Sequence, residues 1–360
     1  MQKIQFISKD RNKAIFYATL RSRIEMYFKE NNISKHFNSS MVIKTVVLLT
    51  GYILPFLFIL FFNFPQIVNY SLWLMMGLFK AGIGMSVMHD ANHGAYARSH
   101  KVNYWLGHTL NLVGGSVFNW KLQHNQQHHT YTNVINLDDD IEDKLILRFS
   151  PHTKAKWYHK FQFIYAFLFY GLLTLYWALI KDFVQFRKYI LTGVNKESFS
   201  KNRSIFIKIL IFKLIYVFVF IIAPIFILKL SAIHHILGFL LMHFVAGVLL
   251  TVIFQLAHTV ENTSHPLPNA YGEIDNNWAI HQLNTTVNFS KNSKFLTWYL
   301  GGLNFQVEHH LFPNICHIHY PSIAPIVKQT AEEFGVPYLE NKNFYQAIRS
   351  HIRMLKVYGT

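Results

Sequence analysis

Residues 45–93 read TVVLLTGYILPFLFILFFNFPQIVNYSLWLMMGLFKAGIGMSVMHDANH, and the architecture follows from this stretch. Two apolar runs, 45 to 62 and 66 to 88, are separated by Asn63-Phe64-Pro65-Gln66, and the second ends in His89-Asp-Ala-Asn-His93. Roughly 20 apolar residues in a helix cover the ~30 Å of a bilayer's hydrocarbon, so each run is long enough to cross. The Asn-Phe-Pro-Gln break supplies the turn between them. Residues 205 to 228 and 236 to 257 repeat the arrangement, broken near Lys229 to His235. The expected fold is an all-α integral membrane protein with two transmembrane hairpins, hence four spans. Lys80, Lys208 and Lys213 fall inside the runs near their basic flanks, where their stems are expected to snorkel.

Composition agrees with that class. The chain has 360 residues, 51% hydrophobic and 16% aromatic but only 14% charged, which belongs to a membrane protein with sizeable polar segments. Its single cysteine, Cys316, excludes an internal disulfide and a cysteine-based metal cluster. The formal charge of +16 is unevenly placed: eight basic residues lie in the first 40 positions and fourteen between His89 and Ser204, with none in the turn at 63–66. That is the positive-inside asymmetry of a membrane protein, and anionic lipid headgroups are the expected counter-charge. The basic residues flank spans and form no nucleic-acid reading motif, so no nucleic-acid partner is expected. The first 40 residues are basic, not apolar, and are read as a cytoplasmic segment with no cleaved signal peptide.

A fifth apolar run, Phe161 to Ile180, changes the count if it crosses. Five crossings would put the last part of the chain on the opposite side from the middle. The run carries Tyr165, Tyr170, Tyr176 and Trp177 and is followed by Lys181 and Asp182, which suits a helix lying in the interface. Four crossings with both termini cytoplasmic is the expectation.

Under that topology three histidine clusters share the cytoplasmic face. His89 and His93 end the second run; His124-Asn-Gln-Gln-His128-His129 follows; Gln306-Val-Glu-His309-His310 comes late in the chain. Imidazole is the commonest neutral ligand of transition metals. His89 with His93, and His124 with His128, are spaced i, i+4 and share a helix face, whereas His129 points about 100° from His128. His258, at the end of the fourth run, is an eighth candidate. Eight nitrogen ligands are too many for one ion and suit two. Softness and spacing alone leave zinc, copper, nickel and iron open. A metal transporter would place its ligands near the bilayer midplane, and these lie at one face.

The strings His89-Asp-Ala-Asn-His93-Gly-Ala, His124-Asn-Gln-Gln-His128-His129-Thr-Tyr-Thr-Asn133 and Gly301-Gly-Leu-Asn-Phe-Gln306-Val-Glu-His309-His310-Leu-Phe-Pro313 resemble the three histidine boxes of membrane fatty-acid desaturases. The glutamine opening the third box resembles the front-end subgroup, which inserts a double bond between an existing one and the carboxyl end. The resemblance covers residues 45 to 340, and residues 41–340 are read as the desaturase domain, with a C-terminal tail at 341–360. It implies a centre of two iron ions, dioxygen as co-substrate, a fatty-acyl substrate carried on coenzyme A or on a phospholipid, and a cytoplasmic cap over the spans. Carried over residue by residue, His89, His93, His124, His128, His129, His309 and His310 are iron ligands, with His258 matching the ligand that ends the fourth span. Where family members place an asparagine four residues earlier, this chain has Phe254; Gln255 or Gln306 is the expected replacement. A hydroxylase on the same scaffold is the alternative, distinguished by oxygen in the product.

Ligating rings need their second nitrogen held by an acceptor. Asp90, Asp139, Asp140, Glu261 and Glu308 are near enough in sequence, Asp90 and Glu308 foremost. Of His100, His108, His152, His159, His265, His281, His317 and His319, one is expected to touch the shell of the metal site. His243, midway along the fourth run, is expected in an interhelical hydrogen bond. No His-Pro-Gly-Gly haem loop occurs in the chain, so electrons are expected from a separate ferredoxin or free b-type cytochrome docking on the basic cap. Ser322 to Phe334 reads as an amphipathic helix stopped by Gly335 and Pro337.

Overall fold

A computed structural model describes residues 4–8, 10–142 and 146–360. Its principal helices are α1 (Phe16–Glu30), α2 (Ser39–Phe61), α3 (Gln66–Asn92), α4 (117–131), α5 (His159–Leu191), α6 (Phe199–Ile227), α7 (Ala232–His258), α8 (Trp278–Thr285), α9 (Gln306–Leu311), α10 (Tyr320–Glu333) and α11 (Phe344–Val357). Among the described residues, strand is confined to two parallel ladders of two residues each, Gln5–Phe6 with Glu273–Ile274 and Asn288–Phe289 with Glu340–Asn341. Among the described residues five helices, α2, α3, α5, α6 and α7, are long and apolar enough to cross a membrane. They carry outward-facing Ile43, Phe61, Ile67, Leu214, Phe226 and Ile233. An apolar surface of that extent is stable against lipid and not against water.

The fifth run forms part of α5, a helix of 33 residues. It packs in the opposite direction along α7: Thr251 donates to the Tyr170 carbonyl at 3.5 Å and Thr174 donates to the His243 carbonyl at 2.7 Å. Glycines make the approach possible, since a Cβ added at Gly247 would lie 2.6 Å from the Gly171 carbonyl oxygen. Both ends of α5 have polar partners. Gln162 accepts from the Arg148 backbone, while Gln185 donates to Gln123 and Lys188 pairs with Asp139, beside the second histidine cluster.

Two of the three lysines do not snorkel. Lys80 is fully buried and donates to the Tyr216 hydroxyl at 2.8 Å, with the His243 ring beside it. Lys213 pairs with Asp182 at 2.5 Å and donates to the Gly114 and Trp177 carbonyls. Lys208 is exposed. These two ammonium groups find buried partners on neighbouring helices, Tyr216 for Lys80 and Asp182 for Lys213, which offset the cost of their burial. His243 makes its hydrogen bonds between helices, to Thr174 and to Tyr216.

Both chain ends join the body. α1 buries Phe16, Leu20, Ile24 and Phe28 at a four-residue spacing against a core shared with Ile323 and Val327 of α10. α10 itself starts two residues before the expected helix and ends one residue earlier. Residues 341–360, expected as a tail, contain α11, whose His351 accepts or donates at 2.9 Å with Tyr170 of α5. Of the N-terminal segment, residues 1–3 and 9 lie outside those described.

Candidate metal centre and its cavity

The helix ends gather the histidines. α3 widens into a π-helical turn over Ile83–Val87 immediately before His89, and α4 does so over Lys121–His128. Such wide turns often sit at functional sites because they re-aim side chains. In α4 the rings of His124 and His128 share a face as expected, stacked 5.1 Å apart, while their Nδ1 atoms meet different carboxylates, Asp140 and Asp138.

His89, His93, His124 and His309 form one group whose potential ligand atoms all lie within 4.8 Å of one another; His128, His258 and His310 form a second. His129 stands between them, with ring centres 4.8 Å from His93, 4.6 Å from His309 and 4.5 Å from His310. Within the first group the His89 and His124 Nε2 atoms face each other at 3.2 Å. The Nε2 atoms of His93, His128, His258, His309 and His310 are buried and have no hydrogen-bond partner. Buried polar atoms are normally satisfied, so nitrogens clustered without partners mark a place for a bound cation. These donors fit two metal ions: all are nitrogen, with no thiolate, and the lone pairs converge.

The outer nitrogens are held by neighbours. His124 Nδ1 lies 2.9 Å from Asp140, and His128 Nδ1 lies 3.0 Å from both oxygens of Asp138. His310 Nδ1 pairs with the Gln282 Oε1 at 2.8 Å, His258 Nδ1 with the Thr285 carbonyl at 3.1 Å, and His309 Nδ1 with the Tyr320 hydroxyl at 3.3 Å. Each partner orients a ring so that Nε2 points inward. Burial holds His124, His129, His309 and His310 well below the ordinary imidazole range, so they stay neutral. At His128 burial acts the same way, but the Asp138 charge and hydrogen bond outweigh it and raise the value.

Of the expected acidic partners, Asp140 is hydrogen-bonded to His124. Asp90 lies at ion-pair distance, 3.8 Å, from His89 Nδ1 and accepts from His317 Nδ1 at 2.8 Å. His317 is thus the further histidine tied to the surroundings of the site, and Lys44 sits 2.9 Å from its other nitrogen. Glu308 points away from the rings and accepts from Asn288 and Tyr338, each at 2.8 Å. Asp139 pairs with Lys188, and Glu261 with Arg353 at the surface. The i, i+1 geometry explains Glu308: when His309 and His310 face the site, their neighbour on a short helix faces the opposite wall. Sequence reasoning missed Asp138, Gln282 and Tyr320. Asp138 begins a run of three aspartates, and only the loop fold selects which of them meets which ring.

Loss of Asp138 has a measurable consequence. In Asp138→Ala the His128 ring loses its outer anchor, and activity per folded protein is expected to fall by about 10–100-fold. The ratio of product to substrate acyl chains, normalised to membrane-inserted protein, checks this; an unchanged ratio would remove Asp138 from the site.

A cavity of about 410 Å³ opens onto the first group, reaching His89, His124 and His309. Its walls are apolar, with Met85, Tyr170, Leu173, Trp177, Leu250 and Phe254, and its polar end carries Asp139, Asp140, Glu142, Lys181, Gln185 and Lys188. Phe254 occupies the gap expected for a polar replacement, its ring 4.9 Å from His128 and 5.1 Å from His258. It separates the cavity from the second group. Gln255 is engaged with Thr259 at 2.6 Å, while Gln306 lines the cavity with its buried Oε1 unpartnered.

An apolar channel ending at clustered imidazoles suits oxidation of a hydrocarbon chain, and comparison with known proteins decides the family. The fatty acid desaturase family model matches residues 65–342. The chain belongs to the fatty acid desaturase family. It is similar to the acyl-lipid (8-3)-desaturase of Physcomitrium patens, 36% identical over 351 residues that make up 96% of this chain and 72% of that protein. It is also similar to the sn-1 linoleoyl-lipid 6-desaturase of Arthrospira platensis, 35% identical over 95% of this chain and 92% of that protein. The Delta(5) fatty acid desaturase A of Dictyostelium discoideum is 33% identical over 96% of this chain. The desaturase is therefore an oxidoreductase of fatty-acid metabolism, built on apolar helices of membrane-spanning length.

Proposed function

We propose that this desaturase inserts a front-end double bond into an acyl chain carried on a membrane lipid, using two iron ions, dioxygen and electrons from a separate redox protein. The observation that carries the reading is the continuity of the apolar cavity with His89, His124 and His309. His89, His93, His124 and His309 would hold one iron, and His128, His258 and His310 the other, with His129 between them. The bound metals would supply the activation of dioxygen that an unactivated C–H bond requires. The protein's own part is positional. Met85, Leu250 and Phe254 keep water from the chain and fix which carbon faces the first group.

The relatives' names support a lipid-borne substrate, and so does the cavity's polar end. There Asp139, Asp140 and Glu142 outnumber Lys181 and Lys188, a poor reception for the phosphates of coenzyme A. We further propose four crossings, by α2, α3, α6 and α7, with the histidines and both termini on the cytoplasmic side. The polar partners of the C-terminal end of α5, Gln123 and Asp139 beside the second histidine cluster, support a helix that stays at the interface. The membrane is a bacterial inner membrane or endoplasmic reticulum in this reading.

The test is lipid analysis by mass spectrometry with double-bond localisation, on cells supplied with polyunsaturated precursors. A new double bond on the carboxyl side of an existing one, found in glycerolipids before the acyl-coenzyme A pool, is expected. Hydroxylated chains instead would assign the protein to hydroxylation.

A further inference from the structure

Apart from the cavity, a second depression reaches the histidine segments through other residues. A groove of about 660 Å³ lies on the outer surface between α1 and the start of α8, lined by Phe6, Tyr17, Arg21, Glu25 and Trp278 among others. Its volume lies outside the acyl cavity, and no residue is common to the two linings. Two aromatic side chains in it make hydrogen bonds inward. The half-buried Trp278 donates its indole N–H to the backbone carbonyl of His129 at 3.0 Å. Tyr17 donates its hydroxyl to the carbonyl of Leu311, next to His310, at 3.1 Å. The two rings meet edge to face with centres 5.3 Å apart.

We infer that Trp278 is the residue through which electrons pass from the redox partner to the metal centre, with the partner seated over this groove. The inference rests on the proposed function, in which a separate protein supplies the electrons. Removing two hydrogens from an acyl chain and reducing one dioxygen to two waters consumes two electrons and two protons beyond those of the substrate. A small iron–sulfur or haem protein delivers such electrons one at a time. Electron transfer weakens steeply with each gap the electron crosses without bonds or orbitals, so an extended π system hydrogen-bonded to a ligand-bearing residue is the favourable conductor. Trp278 offers that: one face toward the groove, and one hydrogen bond to the backbone of a histidine standing between the two groups.

The groove also suits the partner's docking. Redox complexes are small and short-lived and need little apolar area. One wall is α1, and among the described side chains of the N-terminal segment Lys13, Arg21, Arg23, Lys29 and Lys35 outnumber Asp10, Glu25 and Glu30. That imbalance steers an acidic surface toward it. The acyl chain and the electrons thereby reach the histidines through different residues, so substrate need not leave for reduction to occur.

The experiment follows the partner's own spectrum. Purified, iron-loaded protein is mixed in a stopped-flow instrument with a reduced [2Fe–2S] ferredoxin or a reduced soluble b-type cytochrome. Iron content and reduction by dithionite are measured in parallel. Trp278→Leu is expected to slow oxidation of the partner by about tenfold, with iron content and dithionite reduction unchanged, and Trp278→Phe to fall between. Binding of the partner to metal-free protein is expected to change less than its oxidation rate. Equal oxidation rates in wild type and Trp278→Leu would overturn the assignment, as would loss of iron in both variants, which would make the ring structural. Failure of the wild type to oxidise either partner would overturn the reading of a separate donor and this inference with it.

Discussion

Replacing His128 by alanine is expected to abolish desaturation while leaving the protein in the membrane. The ring is fully buried, its Nδ1 is held by Asp138, and its Nε2 lies without a partner among His258 and His310. Truncation removes one of three nitrogens from the second group and leaves Asp138 a buried carboxylate short of a partner. Loss of an outer partner alone costs about 10–100-fold, so loss of the ring itself should exceed about a hundredfold. Membrane insertion depends on the apolar runs, which the substitution leaves intact. His310→Ala should behave the same way, since its ring lies 4.8 Å from His128 and 4.9 Å from His258. The measurement is the new lipid product together with iron per protein. Full activity in either variant would sink the ligand assignment.

The second large effect concerns stability and lies away from the metal centre. Asp182 is fully buried. It pairs with Lys213, accepts from the Ser116 backbone N–H at 2.9 Å, and accepts from the Trp177 indole and the Asn119 amide, each at 3.3 Å. These contacts tie α5 to α6 and to the segment leading into α4. Asp182→Ala strands the Lys213 charge and two donors, the Ser116 N–H and the Trp177 indole, in one step. Breaking a buried pair from one side costs about 3–5 kcal/mol. The expected result is a lower midpoint of thermal unfolding in detergent, by roughly 5 °C or more. Removing both charges with Asp182→Asn and Lys213→Met should recover much of the loss, because no unpaired charge remains. A midpoint unmoved in Asp182→Ala would mean that water reaches Lys213 and the pair contributes little.

Some of this protein was legible before any coordinates. A 3.6-residue period needs no partner to be seen, so the apolar runs, the amphipathic α10 and the histidine spacings could be read along the chain. The family followed from three histidine strings taken together, each weak alone. Less legible were contacts set by a neighbour distant in sequence. Lys80 and Lys213 have the same local context as a snorkelling lysine; what differs is Tyr216 on one helix and Asp182 on another. Glu308 stands between ligand candidates yet serves Asn288 and Tyr338. The path of α5 was likewise beyond hydropathy, which measures the affinity of a segment for lipid and not its direction.

The division has a physical basis. Composition and periodicity determine where a chain prefers to be, in hydrocarbon or in water, because transfer free energy is a sum over residues. They determined here the helical class, the apolar runs and the histidine set. Which nitrogen faces which, which carboxylate holds His124 and which holds His128, and that Phe254 and not an amide stands beside the second group depend on orientation. Orientation is decided by packing between segments up to hundreds of residues apart, through π-helical turns, glycine contacts and hydrogen bonds that form only when the helices have met.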